Sequence, residues 1–171
     1  IATRLTYLPR QVRSLRKNKV NFISLTPGTA FDHARSRGGH ADERAILYRM
    51  LYDLPLAQNE RRRRLRVGLL NILQATAGKD NWRAKAKNLP AEDLDTDLSK
   101  AFRRAVLEDA ELYAALKEGC ERFARYRDYS RIPWEDSELR YDLIGKLRSK
   151  LASVCLSALE PDLVILDEFQ R

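Results

Sequence analysis

From Asp42 onward, apolar positions recur every three or four residues, the period of a helix that buries one face. Ile46, Leu47, Met50, Leu51 and Leu54 share a stripe, and Pro55 ends the run because proline has no amide N–H and clashes with the turn before it. Asn59 suits the N-cap of the next helix, whose stripe is Leu65, Leu69, Leu70 and Leu73 with Ile72 beside it; Gly78 suits the position just past its end. Asp80 is placed to cap a short segment from Trp82 to Lys87, and Pro90 falls where helices begin. Leu94, Leu98, Phe102 and Val106 form one stripe. Leu112, Leu116, Cys120 and Phe123 form another, with Tyr113 and Tyr126 at its edges, and Glu108–Asp109 between them leaves a bend or a break open. Arg131-Ile132-Pro133 reads as a linker. The last stripe is the clearest: Leu139, Leu143, Ile144, Leu147, Leu151, Val154, Cys155 and Ala158, closed by Pro161. Short connections predict that neighbouring helices pack antiparallel.

Two segments break this period. Val20 to Leu25 is β-branched and apolar, so it reads as a strand, and Thr26-Pro27-Gly28-Thr29 stops it with a turn. Leu163-Val164-Ile165-Leu166 reads as a strand buried on both faces, with Asp167 and Glu168 directly after it. The plan is strand, long helical excursion, strand: a mainly α chain. Three parts follow: residues 1–31 (a basic segment, a short helix at Gln11–Lys17, then the first strand and turn), a helical bundle-like body over 32–160, and the second strand over 161–171. Phe31 to His40 reads as loop, most flexible at Gly38–Gly39.

Composition fits one domain with a real core: 171 residues, 44% hydrophobic, 33% charged. Seven Gly and six Pro lean toward helix rather than an all-β fold. A formal charge of +8 and a pI of 9.7 favour an acidic partner, most commonly a nucleic acid. Cys120 and Cys155 lie far apart within helical stripes and lack metal-ligand spacing, so they read as buried free thiols of a reducing, cytoplasmic compartment. His33 and His40 have no helix to align them on a metal. No apolar run approaches the roughly 20 residues that span a bilayer, so no membrane partner is expected. The first residue is Ile1 and the last follows Gln170 at once, which reads as a piece of something longer.

The terminal acids carry the sharpest chemistry. Ligands of open α/β sheets bind just past the carboxyl ends of strands. An Asp there suits Mg²⁺, and a Glu beside it suits the water that attacks a γ-phosphate. The run Asp162-Leu163-Val164-Ile165-Leu166-Asp167-Glu168-Phe169-Gln170-Arg171 resembles motif II, the Walker B acidic pair, of the superfamily 2 helicases in their Swi/Snf-like and DEAH-type branches. Those read an apolar strand and then Asp-Glu-x-His or Asp-Glu-x-Gln. Val20 to Thr29 resembles their motif Ib, which precedes motif II and often reads Thr-Pro-Gly. Thr29 stands where many relatives carry Arg. Well over a hundred residues separate the two motifs, so the resemblance covers the two ends and makes the body an insertion between two strands of a P-loop motor domain. It implies that Asp167 holds Mg²⁺ through water, Glu168 activates the hydrolytic water, and Gln170 couples the nucleotide site to the second motor domain. Thr26, Pro27 and Gly28 would lie against a nucleic-acid backbone. The implied cofactors are ATP and Mg²⁺ in the intact parent. The implied partners are DNA, with RNA as the second choice, and the parent's remaining motor domains. The chain has no G-x-x-x-x-G-K-[ST] loop, so alone it is expected not to hydrolyse ATP.

The body offers further cations. Arg61-Arg62-Arg63-Arg64 opens a helix, where four positive charges oppose the macrodipole, and reads either as a set of phosphate contacts or as a solvated first turn. Arg122, Arg125, Arg127 and Arg131, with Tyr126 and Tyr129 among them, read either as a stacking surface or as helix-edge packing with solvated arginines. Arg35, Arg37, Gly38 and Gly39 read either as a basic loop along a backbone or as a linker. Trp82 and Trp134 read as hydrophobic anchors. Two rivals to the motor reading stay open: a non-enzymatic basic helical module that binds nucleic acid, and a helical scaffold for protein partners.

Overall fold

The computed structural model describes residues 37–56, 58–89, 94–126 and 132–159. The strands expected at Val20–Leu25 and Leu163–Leu166, the helix at Gln11–Lys17, His33 and Pro90 lie outside them. The described residues are mainly helical, with no strand among them: α1 (Ala41–Leu51), α2 (Asn59–Gln74), α3 (Lys79–Asn88), α4 (Thr96–Glu108), α5 (Ala110–Phe123) and α6 (Trp134–Leu159).

The expected stripes supply the core. Leu47, Met50, Leu51, Leu65, Leu69, Ile72, Leu73, Phe102, Leu116, Cys120, Phe123, Leu143, Ile144, Leu147 and Cys155 are buried in one cluster. Both cysteines are free, and burial pushes the Cys155 thiol up to about 12 and raises that of Cys120 as well. Trp82 is buried as an anchor, its indole N–H donating to the Leu70 carbonyl at 3.0 Å, which seats α3 on α2.

Packing does not follow chain order. The most extensive contact is α2 against α5, followed by α4 against α6 and α1 against α3. The expected pairing of chain neighbours is therefore not the main principle of the fold. Gly68 gives the reason at the α2–α5 crossing. A Cβ on it would stand 1.9 Å from the Cys120 carbonyl oxygen, so only glycine lets the two backbones meet there. Asn71, buried one turn on, donates to the carbonyls of Phe123 at 2.9 Å and Tyr126 at 3.3 Å and so satisfies the end of α5.

Helix ends depart from the sequence expectations in several places. Asn59 is the first residue of α2 with φ 55, and the N-cap is Gln58, whose side chain makes no capping bond. Gly78, expected past the end of α2, is the N-cap of α3, and α2 stops at Ala75 with φ 48. Asp80 lies inside the first turn of α3. Leu94 precedes α4, which Asp95 caps by accepting from the Asp97 and Leu98 amides at 2.9 and 3.0 Å. The join at Asp109 is a break. Asp109 ends α4 and caps α5 by accepting from Leu112 N. Trp134 is no anchor; it is 73% exposed at the start of α6.

Candidate nucleic-acid interface

Nine Arg or Lys face only two Asp or Glu between Gln58 and Leu89. The other described stretches are near balance, with three against three over 37–56, six against seven over 94–126 and four against four over 132–159. The positive excess of the described body therefore sits on α2 and α3. It falls into two groups. Arg61–Arg64 opens α2, and the cations of α3 follow its far end, roughly 20 Å along a helix of this length.

The four arginines divide by task. Arg61 donates to the Glu121 carboxylate on α5. Arg62 lies 3.9 Å from Asp53, which also pairs with Arg66 at 3.4 Å. Arg66 is further fixed by the Tyr52 carbonyl at 3.0 Å and by stacking 3.9 Å from the Tyr52 ring centre. Arg63 and Arg64 are exposed and have no ion-pair partner among the described residues. The hydrogen bond from Arg61 holds the Glu121 carboxyl below its usual range, and Lys117 and Arg64 add to the effect. Lys117 thus joins the α2 arginines around one carboxylate. The sequence pattern did not single out Lys117, although the spacing of 117 and 121 puts it on the Glu121 side of α5.

The opposite end of α2 is built differently. Its last turn has no basic residue of its own. Arg44, buried in α1, reaches across and donates to Leu73 O at 2.8 Å and Gln74 O at 3.4 Å. Arg140 of α6 donates to Ala75 O at 3.4 Å. These carbonyls are the orphan acceptors of a helix C-terminus, where the macrodipole favours cations. Arg44 also donates to Gly38 O and Gly39 O, both at 2.7 Å, and burial lowers its pKa. Glu43 beside it pairs with Arg148 at 3.1 Å and accepts from His40 N at 3.1 Å. So Gly38 and Gly39 are tied down, and Arg37 pairs with Glu138 at 3.0 Å. Arg37–Gly39 therefore lies along α6 as neither a linker nor a free basic loop.

Among the described members of the Arg-Tyr stretch, Arg122 pairs with Asp136 at 3.1 Å, and the Tyr126 hydroxyl donates to the same Asp136, which raises the tyrosine's pKa. That pair is packing between α5 and α6. Arg127, Tyr129 and Arg131 lie outside the described residues. A shallow cleft between α5 and α6, lined by Asp109, Lys146, Lys150 and Ser153, has its lysines neutralised by Asp142 at 2.9 Å and Asp109 at 2.6 Å.

Thr26, Pro27, Gly28, Asp167, Glu168 and Gln170 lie outside the described residues. Among the described residues no three His, Cys, Asp or Glu side chains converge as a metal site, and no helix is long and apolar enough to cross a membrane. No family model, curated protein or solved structure matches the chain.

Proposed function

We propose that the chain belongs to the first motor domain of a nucleic-acid-dependent ATPase of the superfamily 2 type, and that residues 32–160 are a helical insertion in it. The observation that carries this reading is the run Leu163–Leu166 followed at once by Asp167, Glu168 and then Gln170. Asp167 is the residue to hold Mg²⁺ through water. Glu168 orients the attacking water and takes its proton, and Gln170 passes the state of the site to the second motor domain. Bound Mg²⁺ would supply charge neutralisation between the β- and γ-phosphates. Thr26, Pro27 and Gly28 lie against the nucleic-acid backbone. The phosphate-cradling loop comes from outside the 171 residues.

Support for an insertion comes from how the chain enters and leaves the helical body. The lead-in at Arg37–Gly39 lies against α6 at Glu138, Tyr141 and Arg148. The body ends on the same helix at Leu159, eleven residues past Arg148, about 16 Å along the axis. A body whose entry and exit both lie along one helix can be accommodated between two strands of a host. The charge excess on α2 and α3 supports nucleic acid as a partner, and the motif resemblance puts DNA ahead of RNA. That excess alone also fits the second reading, a non-enzymatic basic helical module. Glu168→Gln in the intact protein separates the two: the motor reading expects ATP binding to persist and turnover to stop. Unchanged turnover, or none in the parent, leaves the binding module.

A further inference from the structure

We infer that the seam between α2 and α5 is a grip for the phosphate backbone of nucleic acid, made by Arg61, Arg64 and Lys117, in which Glu121 occupies the place of a phosphate and sets the affinity. The inference takes from the proposed function only that nucleic acid is the partner.

Three observations converge. Lys117 and Glu121 lie four residues apart on α5, and Arg61 of α2 closes onto them through the Glu121 carboxylate. Arg64, one turn along α2 from Arg61, also lies within electrostatic range of that carboxylate, as Lys117 does. Arg64 and Lys117 have no ion-pair partner among the described residues, so one carboxylate faces three cations. Second, the fold gains little from this arrangement. Glu121 is 40% and Arg61 61% exposed, and exposed pairs contribute almost nothing to stability. Third, a guanidinium binds carboxylate and phosphate oxygens with the same fork of donors. A phosphodiester can therefore replace Glu121 on Arg61 while Arg64 and Lys117 engage adjacent phosphates. Glu121 competes for Arg61 in the free protein and repels the incoming phosphate, which makes it a brake on binding.

The test is the affinity of the full chain for a fluorescein-labelled oligothymidylate by anisotropy, across a salt series. Removing the brake with Glu121→Gln should tighten binding roughly two- to fivefold, the scale of an exposed charge pair. It should also steepen the slope of log K against log salt by about 0.7, one more phosphate engaged on a single strand. Arg64→Ala with Lys117→Ala should lower that slope by about 0.7 for each phosphate no longer engaged. Glu118→Gln removes the same charge from an exposed neighbour that holds no arginine, and should change affinity less than Glu121→Gln does. Circular dichroism checks that each variant keeps its helix content. Weaker or unchanged binding in Glu121→Gln would overturn the inference. So would equal tightening by Glu118→Gln, since net charge would then suffice. Preference for phosphatidylserine vesicles over the oligonucleotide, with the same dependence on Glu121, would overturn the assignment to nucleic acid. ATP turnover is not read in this assay, so it can succeed or fail independently of the Glu168 experiment.

Discussion

The two ends of α2 both gather arginines, and they use them in opposite ways. At the C-terminal end, Arg44 and Arg140 come from other helices, are buried, and spend their donors on the carbonyls of Leu73, Gln74 and Ala75. The helix dipole welcomes positive charge there. At the N-terminal end, Arg61 to Arg64 belong to the helix itself and sit where the dipole disfavours them, with no side-chain cap from Gln58. Their acceptors are exposed carboxylates, or none among the described residues. The same side chain is thus structural where backbone acceptors surround it in a dry site, and available to a ligand where only surface carboxylates do.

The comparison breaks first at Arg44. Arg44→Met removes donors to four backbone carbonyls and should destabilise the fold by roughly 3 kcal/mol in urea unfolding, since buried acceptors are left without partners. A change below about 1 kcal/mol would mean that water satisfies those carbonyls and that the end of α2 is not sealed by Arg44. At the other end the sign reverses. Gln58 already has the extended backbone of an N-cap, at φ −110 and ψ 160. Gln58→Asp should therefore stabilise by about 1 kcal/mol by accepting from the first-turn amides and countering the arginines. The smallest effect is that of Arg63→Ala with Arg64→Ala. Thermal unfolding should show no loss and a gain of up to about 0.5 kcal/mol, as charge opposed by the dipole is removed. Oligonucleotide affinity should fall at the same time. Marked destabilisation by that pair would make the N-terminal arginines structural too.

The apolar stripes were legible because burial of a helix face is written locally. Leu65, Leu69 and Leu73, or Leu143, Leu147 and Leu151, declare their face by spacing alone, and all are buried. Arg61–Arg64 was legible as a charge problem for the same local reason. What the chain did not reveal depends on partners distant in sequence. Nothing local marks Gly68 until Cys120 lies against it, 52 residues on. Nothing local marks Arg44 until the end of α2 arrives to take its donors. Gly78 reads as a stop signal, but the orphan carbonyls of α2 were already taken by Arg44 and Arg140. Trp134 reads as an anchor because tryptophan is costly to expose, yet α6 turns Leu143, Ile144 and Leu147 inward instead. Lys117 gained meaning only when α5 packed on α2.

The most direct test of the motor reading is the rate of ATP hydrolysis by the intact protein with and without single-stranded DNA, measured for the native sequence and for Glu168→Gln. The expected result is DNA-stimulated turnover that Glu168→Gln abolishes while nucleotide binding persists. Turnover that is absent from the intact protein, or undiminished in Glu168→Gln, would contradict the account and leave a basic helical domain that binds nucleic acid without a motor.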